Sequence, residues 1–357
     1  MDNIEVLLKE LTEASGIAGF ESEVRGLIRR YFEPFGELDQ DKLGSLICRK
    51  KGSSDEPVVM LAGHMDEIGF MVRYITEKGF IRFVPLGGWW DHVLLAQRVK
   101  IETSSGDVIG IFGAKPPHIL SEEERKKMVD KDSMYIDIGA TSQEEVEKAG
   151  VRIGDPIIPI SEFTILANPK TYLAKAFDDR VGCAVAIAVM QKLAGGDHPN
   201  TLVSVATAQE EVGLRGAKTS VEVVDPDVAL VLEGGIAADV PGVDREGAPK
   251  FGGGPIVSFM EARMIANLKL RDLVVDVAKK ADIPIQIVAS AGGGATDGAV
   301  IHLHRSGIPT IVVSTAARHI HSHTSILHRD DFDRAVDLVT RVVQALDKDT
   351  VTAMTSW

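Results

Sequence analysis

Cysteine is scarce in this chain: 357 residues hold only Cys48 and Cys183. Two thiols cannot build a disulfide framework, and their rarity fits a reducing compartment. Long apolar runs are missing too. The longest, VGCAVAIAVM (181–190), is about half of the ~20 residues a helix needs to cross a bilayer. The opening MDNIEVLLKELTEASG is broken by charges and reads as an amphipathic helix with Ile4, Leu7, Leu8 and Leu11 on one face, not as a signal peptide. Nor is there surplus positive charge. A net charge of −13 argues against nucleic acid or an anionic membrane as partner, although a local pocket can oppose the global sign. Internal repeats and low-complexity segments are absent, and the expected location is the cytoplasm.

What is present is an α/β rhythm with an interruption. An early helix, a Gly-punctuated loop (SGIAGFESE) and a second helix lead to the strands SLICRK and PVVMLAGHMDEIGF. From about Val72 to Leu166 the pattern changes to short alternating segments such as GFIRFVPL and RVKIETSSGDVIGIFG, separated by turn residues, which predicts hairpins or a small barrel. A charge run inside it, LSEEERKKMVDKDS, reads as a solvated loop or short helix, and PPHILSEEERKKM as a loop near the site. The rhythm then resumes. DDRVGCAVAIAVMQKLAGG, MIANLKLRDLVVDVAKKA and RDDFDRAVDLVTRVVQALDK read as helices, and TLVSVATA, VALVLEG, IPIQIVAS and IPTIVVST as strands. Strands alternating with helices predict an α/β fold, a central mixed sheet flanked by helices, interrupted by an inserted small all-β barrel. The division is residues 1–71 and 167–357 for the α/β domain and 72–166 for the insertion.

In such sheets functional groups collect where strands end. Those positions hold GHMDE (His64, Asp66), FDDR (Asp178, Asp179), QEE (Glu210, Glu211), LEGG (Glu233) and RHIHSH (His319, His321, His323). Taken singly, each has a structural explanation: a hydrogen-bonded strand-end histidine, a helix-capping acid, a solvated glutamate. Together they supply imidazoles and carboxylates without a thiolate, a donor set suited to zinc, cobalt or manganese. Residues i and i+2 of a strand share a face, so Asp66 can orient His64. Glu210 and Glu211 point to opposite sides, so one can bind metal while its neighbour handles protons. His319, His321 and His323 have period-two spacing, and spacing alone does not choose among them.

GHMDEIGF, KAFDDRVGC, AQEEVGLRGA, ALVLEGG and RHIHSH, with SGIAGFESEVR, GGWW and GGGATDG, occur in order over essentially the whole chain. The set resembles the dinuclear metallo-aminopeptidases of the glutamyl and deblocking, tetrahedral (TET-type) family, some members of which carry a cellulase label. The resemblance implies two divalent ions, zinc or cobalt with manganese possible. It makes His64 and Glu233 terminal ligands of the first metal, Asp178 the bridge, Glu211 and His321 ligands of the second, Glu210 the general base and Asp66 the partner of His64. Relatives commonly carry Asp at the position of Glu233 and Tyr at that of His319, and the Asp178–Asp179 peptide is typically cis. The implied activity is removal of N-terminal residues from peptide substrates, with self-association through the inserted domain, a tetrahedral homododecamer, and no nucleic acid or membrane partner. A dipeptidase or N-acyl deacylase would use the same dinuclear site. An endoglucanase needs two carboxylates astride a sugar bond and leaves the histidines unexplained, and an aromatic content of 5% offers little sugar-stacking surface.

Overall fold

A computed structural model of the protein describes every residue except Asp244, Gly293 and Trp357. Three strands lead in: β1 (Glu37–Gln40), β2 (Leu46–Lys51) and β3 (Val58–His64). Six more close a barrel in the order β4-β5-β8-β7-β6-β9: β4 (Gly69–Ile75), β5 (Ile81–Leu86), β6 (Arg98–Thr103), β7 (Gly106–Gly113), β8 (Tyr135–Asp137) and β9 (Pro156–Pro159). The chain then returns through β10 (Thr164–Ile165), β11 (Thr171–Ala174), β12 (Thr201–Thr207), β13 (Val228–Ile236), β14 (Ile256–Glu261), β15 (Met264–Ile265), β16 (Gln286–Ala289), β17 (Thr310–Arg318) and β18 (Ser325–His328). The large sheet runs β1-β2-β12-β3-β13-β17-β18-β11-β10, with β14 attached to β17. Its centre, β12-β3-β13-β17, is parallel and its flanks antiparallel. The α/β core with an inserted barrel is therefore what this sequence forms.

Burial explains the arrangement. Every residue of β12 is buried, as expected of a parallel strand covered on both faces. One face carries the helix Phe177–Lys192, apolar nearly all round and sandwiched between the sheet and the helices Asn3–Glu13 and Arg329–Ala345. The other face packs Met60, Val203 and Val231 against Ala217, Val221 and Ile301. The barrel has its own core, in which Phe70, Phe83 and Phe112 meet edge to face at 4.9–5.2 Å.

Three local expectations change. PVVMLAGHMDEIGF is not one strand: the chain leaves the large sheet at His64 and enters the barrel at Gly69. The helix predicted from Met264 begins at Leu268, because Asn267 caps it by accepting the N–H groups of Lys269 and Leu270, leaving Met264–Ile265 to pair with β14. The 116–128 segment holds a short helix, Glu122–Arg125, with a Ser121–Glu124 capping box; it stays exposed, and none of its residues lines the cleft described below.

His323 crosses from the β17–β18 connection to the barrel, its ring 5.2 Å from Trp89 and 6.0 Å from Phe112. Both ring nitrogens are buried without a hydrogen-bond partner among the described residues, and burial pushes the pKa down to about 4. Above its ordinary 6.5 only the unpaired ring nitrogens count against it, and as pH falls towards 4 it withdraws further stability, since the unfolded chain takes the proton first. Replacing His323 with Phe should therefore raise the melting temperature relative to the parent, with a gap that widens from about pH 7 to about pH 4.5. An equal gap at both pH values would contradict this account.

Candidate metal centre

His64 ends β3, Glu210 and Glu211 follow β12, Glu233 lies in β13, and His321 follows β17. These four parallel strands deliver their C-terminal ends to one edge, and Asp178 enters from the start of the helix Phe177–Lys192. Thr207 and His64 are direct partners in the β12–β3 register, which puts the two glutamates just beyond the imidazole. Gly234 permits the approach of Asp178, since a Cβ there would stand 2.9 Å from the Asp178 Cα. The Asp178–Asp179 peptide is cis.

Asp178 divides its oxygens. Oδ1 lies 3.2 Å from His64 Nε2 and Oδ2 lies 3.3 Å from His321 Nε2. Two groups of ligand atoms, each within 4.8 Å of one another, share this carboxylate: His64, Asp178 and Glu233, and Asp178, Glu211 and His321. A third group joins His64, Glu210 and Glu211. Each histidine turns its other nitrogen to a backbone carbonyl: His64 Nδ1 to Asp66 O at 2.9 Å, and His321 Nδ1 to Gly88 O at 2.7 Å. A carbonyl only accepts, so Nδ1 carries the proton in both rings and Nε2 is left to face the cluster.

The electrostatics call for cations. Burial pushes Glu210 up to about 9, with the charges of Asp297, Glu211 and Asp66 adding to it against the opposing pull of His64. Burial followed by the Asp178 charge takes Glu211 to about 8, and burial with Asp179 holds Glu233 well above its ordinary value. For Asp178 burial is outweighed by hydrogen bonds from His321 and His64, and its carboxyl stays below the usual range. Its hydrogen bond lifts His321 to about 9. Burial would lower His64, yet the carboxylates around it hold the imidazole well above its ordinary value. Without metal the glutamates and imidazoles of the cluster thus retain protons that divalent ions would replace. Hard oxygen and borderline imidazole donors in overlapping groups fit two such ions.

Several side chains around the cluster have roles that sequence reasoning did not assign. The carboxylate of Asp66, fully buried, stands 3.7 Å from His64 Nδ1; its oxygens instead accept the backbone N–H groups of Glu210 and Glu211, at 2.9 and 3.1 Å. The link to the His64 ring comes from the Asp66 carbonyl. Asp179 accepts the N–H groups of His64 and Gly182. Glu21, from the SGIAGFESEVR segment, accepts the N–H groups of Gly19 and Gln209 and steadies the turn before Glu210. Asp297, of GGGATDG, receives the Thr207 hydroxyl; Gly293 of that motif lies outside the described residues. Of the three histidines, His321 joins the cluster, His319 is exposed and His323 turns to the barrel. Positive φ at His319 (63°) and His321 (56°) ends the strand geometry on which period-two reasoning depends.

His64, Asp178, Glu210, Glu211, Glu233 and His321 line a cleft of about 550 Å³. Residues 44–338 match the sequence model of the M42 glutamyl aminopeptidase family. The chain belongs to the M42 aminopeptidase family. As an M42 aminopeptidase it is similar to a TET aminopeptidase from a marine sediment Thaumarchaeota archaeon, whose crystal structure superposes with a TM-score of 0.96 at 47% identity, covering 99% of each chain. It also resembles the TET1 peptidase of Pyrococcus horikoshii, which can assemble into a tetrahedron or a large octahedral shell (TM-score 0.85, 30% identity, 96% of this chain and 100% of that one). The lysyl aminopeptidase of Pyrococcus furiosus is 34% identical over 95% of this chain and 96% of its own length. Among the described residues, no helix is long and apolar enough to cross a membrane.

Proposed function

We propose that this M42 aminopeptidase is a two-metal hydrolase that removes N-terminal residues from peptides. The observation that supports it most is the division of the Asp178 oxygens between two imidazoles, His64 and His321. In this reading His64, Asp178 and Glu233 hold one divalent ion and Asp178, Glu211 and His321 the other, zinc or cobalt being best suited to the donors. Bound there, the ions would polarise the scissile carbonyl and make a water easier to deprotonate. The protein's own part in this reading falls to Glu210 and Asp66. Glu210 Oε2, 3.8 Å from His64 Nε2, faces the same space, accepts the proton of the attacking water and returns it to the leaving amine. Asp66 holds the backbone of Glu210 and Glu211 while its carbonyl fixes the His64 ring.

Self-association through the barrel, to a tetrahedral dodecamer, belongs to the same proposal. The assembly of the P. horikoshii relative supports it, as do the exposed Ile109 and Ile111 on β7. A cytoplasmic location is consistent with Cys48 and Cys183, which are both free thiols.

Product analysis by mass spectrometry tests the activity. Free and acetylated peptides are incubated with metal-loaded protein, with and without chelator. Single residues should leave free N-termini stepwise, chelator should stop this, and added zinc or cobalt should restore it. Release of acyl groups from blocked peptides with free ones left intact would make the protein a deacylase. Cleavage confined to dipeptides would make it a dipeptidase, and intact peptides throughout would overturn hydrolysis at peptide N-termini.

A further inference from the structure

The cleft continues beyond the histidines and carboxylates. Its lining also includes β14, β17 and the segment before the helix Gly298–Ile301, where Ser258, Ser314 and Thr296 contribute. Arg263, in the turn joining β14 to β15, also lines it and is the sole lysine or arginine among the lining residues. The nearest acid in its own turn, Glu261, is otherwise engaged, accepting the Thr296 hydroxyl at 2.9 Å and its N–H at 3.3 Å. No ion pair or hydrogen bond joins the Arg263 guanidinium to a carboxylate among the described residues. The cleft thus combines the acidic cluster with a cation that makes no salt bridge among the described residues, in a chain whose net charge is −13.

We infer that Arg263 is a specificity residue that selects substrates with an acidic N-terminal side chain. The inference rests on the aminopeptidase reading: a peptide with its scissile bond at the Asp178 cluster directs the side chain of its first residue into the rest of the cleft. A carboxylate there gains a charge-assisted hydrogen bond from the guanidinium. A lysine side chain meets like charge, and an apolar one gains no such bond. Family membership does not decide the question, since the matched model is described as glutamyl and the P. furiosus relative as lysyl; the residue lining this chain's cleft does.

The test compares glutamyl, aspartyl, leucyl and lysyl p-nitroanilides on the metal-loaded full-length protein, with calorimetric titration of free L-glutamate, L-leucine and L-lysine alongside. The parent should favour the acidic anilides, and Arg263→Met should lower the ratio of kcat/KM for glutamyl over leucyl substrate by about tenfold or more. Arg263→Lys, which keeps the charge but loses the planar fork, should fall between them. Arg263 is exposed on a turn, and unchanged circular dichroism would show that the variants fold. A preference for lysyl substrate, or a ratio unmoved by Arg263→Met, overturns the inference. Absence of cleavage of every anilide defeats the aminopeptidase reading instead. Calorimetry then judges the pocket alone: glutamate bound more tightly than leucine and lost in Arg263→Met supports the assignment, and equal binding refutes it.

Discussion

Replacing Glu210 with glutamine is expected to leave metal uptake at the parent's stoichiometry while slowing peptide hydrolysis by about 10²–10⁴-fold. The two ligand groups that share Asp178 do not include Glu210, so the amide removes no donor from either. It does remove the one carboxylate of the set left over for proton transfer. Burial lifts that carboxyl to about 9 in the metal-free protein. Cations beside it lower its proton affinity toward the range where a base can both take and return a proton. Elemental analysis together with steady-state rates checks the prediction. Loss of metal in parallel with activity would make Glu210 a ligand, and near-parent turnover would leave it without a catalytic role.

A second large effect is expected behind the site. Glu67, Lys175 and Arg180 form a buried ionic triad, with side-chain exposures of 2%, 5% and 0%. One carboxylate oxygen serves both cations, with Arg180 Nη2 at 3.4 Å. Other donors of the cations go to backbone, Arg180 to Leu11 O and Gly16 O and Lys175 to Ala14 O, while Arg180 Nε is buried without a partner among the described residues. Glu67→Gln leaves two buried positive charges facing a neutral amide, a change that costs about 3–5 kcal/mol when a buried pair is broken. The measurable form is a drop of several degrees in melting temperature at fixed protein concentration. The double variant Glu67→Leu/Lys175→Met removes a cation together with the acid and should recover part of the loss. A single variant that melts within about one degree of the parent would show that the triad contributes little. Because Lys175 and Arg180 flank Asp178 in sequence, the single variant should also bind metal more weakly.

The legible part of this protein was what periodicity and strand ends reveal. TLVSVATA reads as a buried strand because its residues are aliphatic or small, and it is one; the acids and imidazoles that end such runs stand out because they interrupt them. His64, Asp178, Glu210, Glu211 and Glu233 were visible in this way, as were three histidines among which the family resemblance, not spacing, singled out His321, and the structure brings these six together. Hidden from the sequence were interactions carried by backbone atoms. Nothing in GHMDE indicates that the Asp66 carbonyl, not its carboxylate, would meet the His64 ring, or that its carboxylate would reach two N–H groups more than a hundred residues away. Periodicity also fails where the chain leaves its element. RHIHSH reads as three histidines on one face only while it remains a strand, and left-handed backbone at His319 and His321 sends His323 the other way. Arg263 carried no signal at all, since a charged residue in a turn is usually a solvated one.

The hydrogen bond from His321 to the carbonyl of Gly88 bears on how this protein can be engineered. Gly88 lies just past β5, within the part of the chain that forms the barrel, whereas His321 belongs to the large sheet's end of the cleft. A minimal catalytic fragment made by excising the barrel and splicing the chain across the gap would lose the acceptor that fixes which nitrogen of this imidazole is free. The insertion is therefore not a detachable module: its backbone completes the environment of a histidine that follows more than two hundred residues later in the chain.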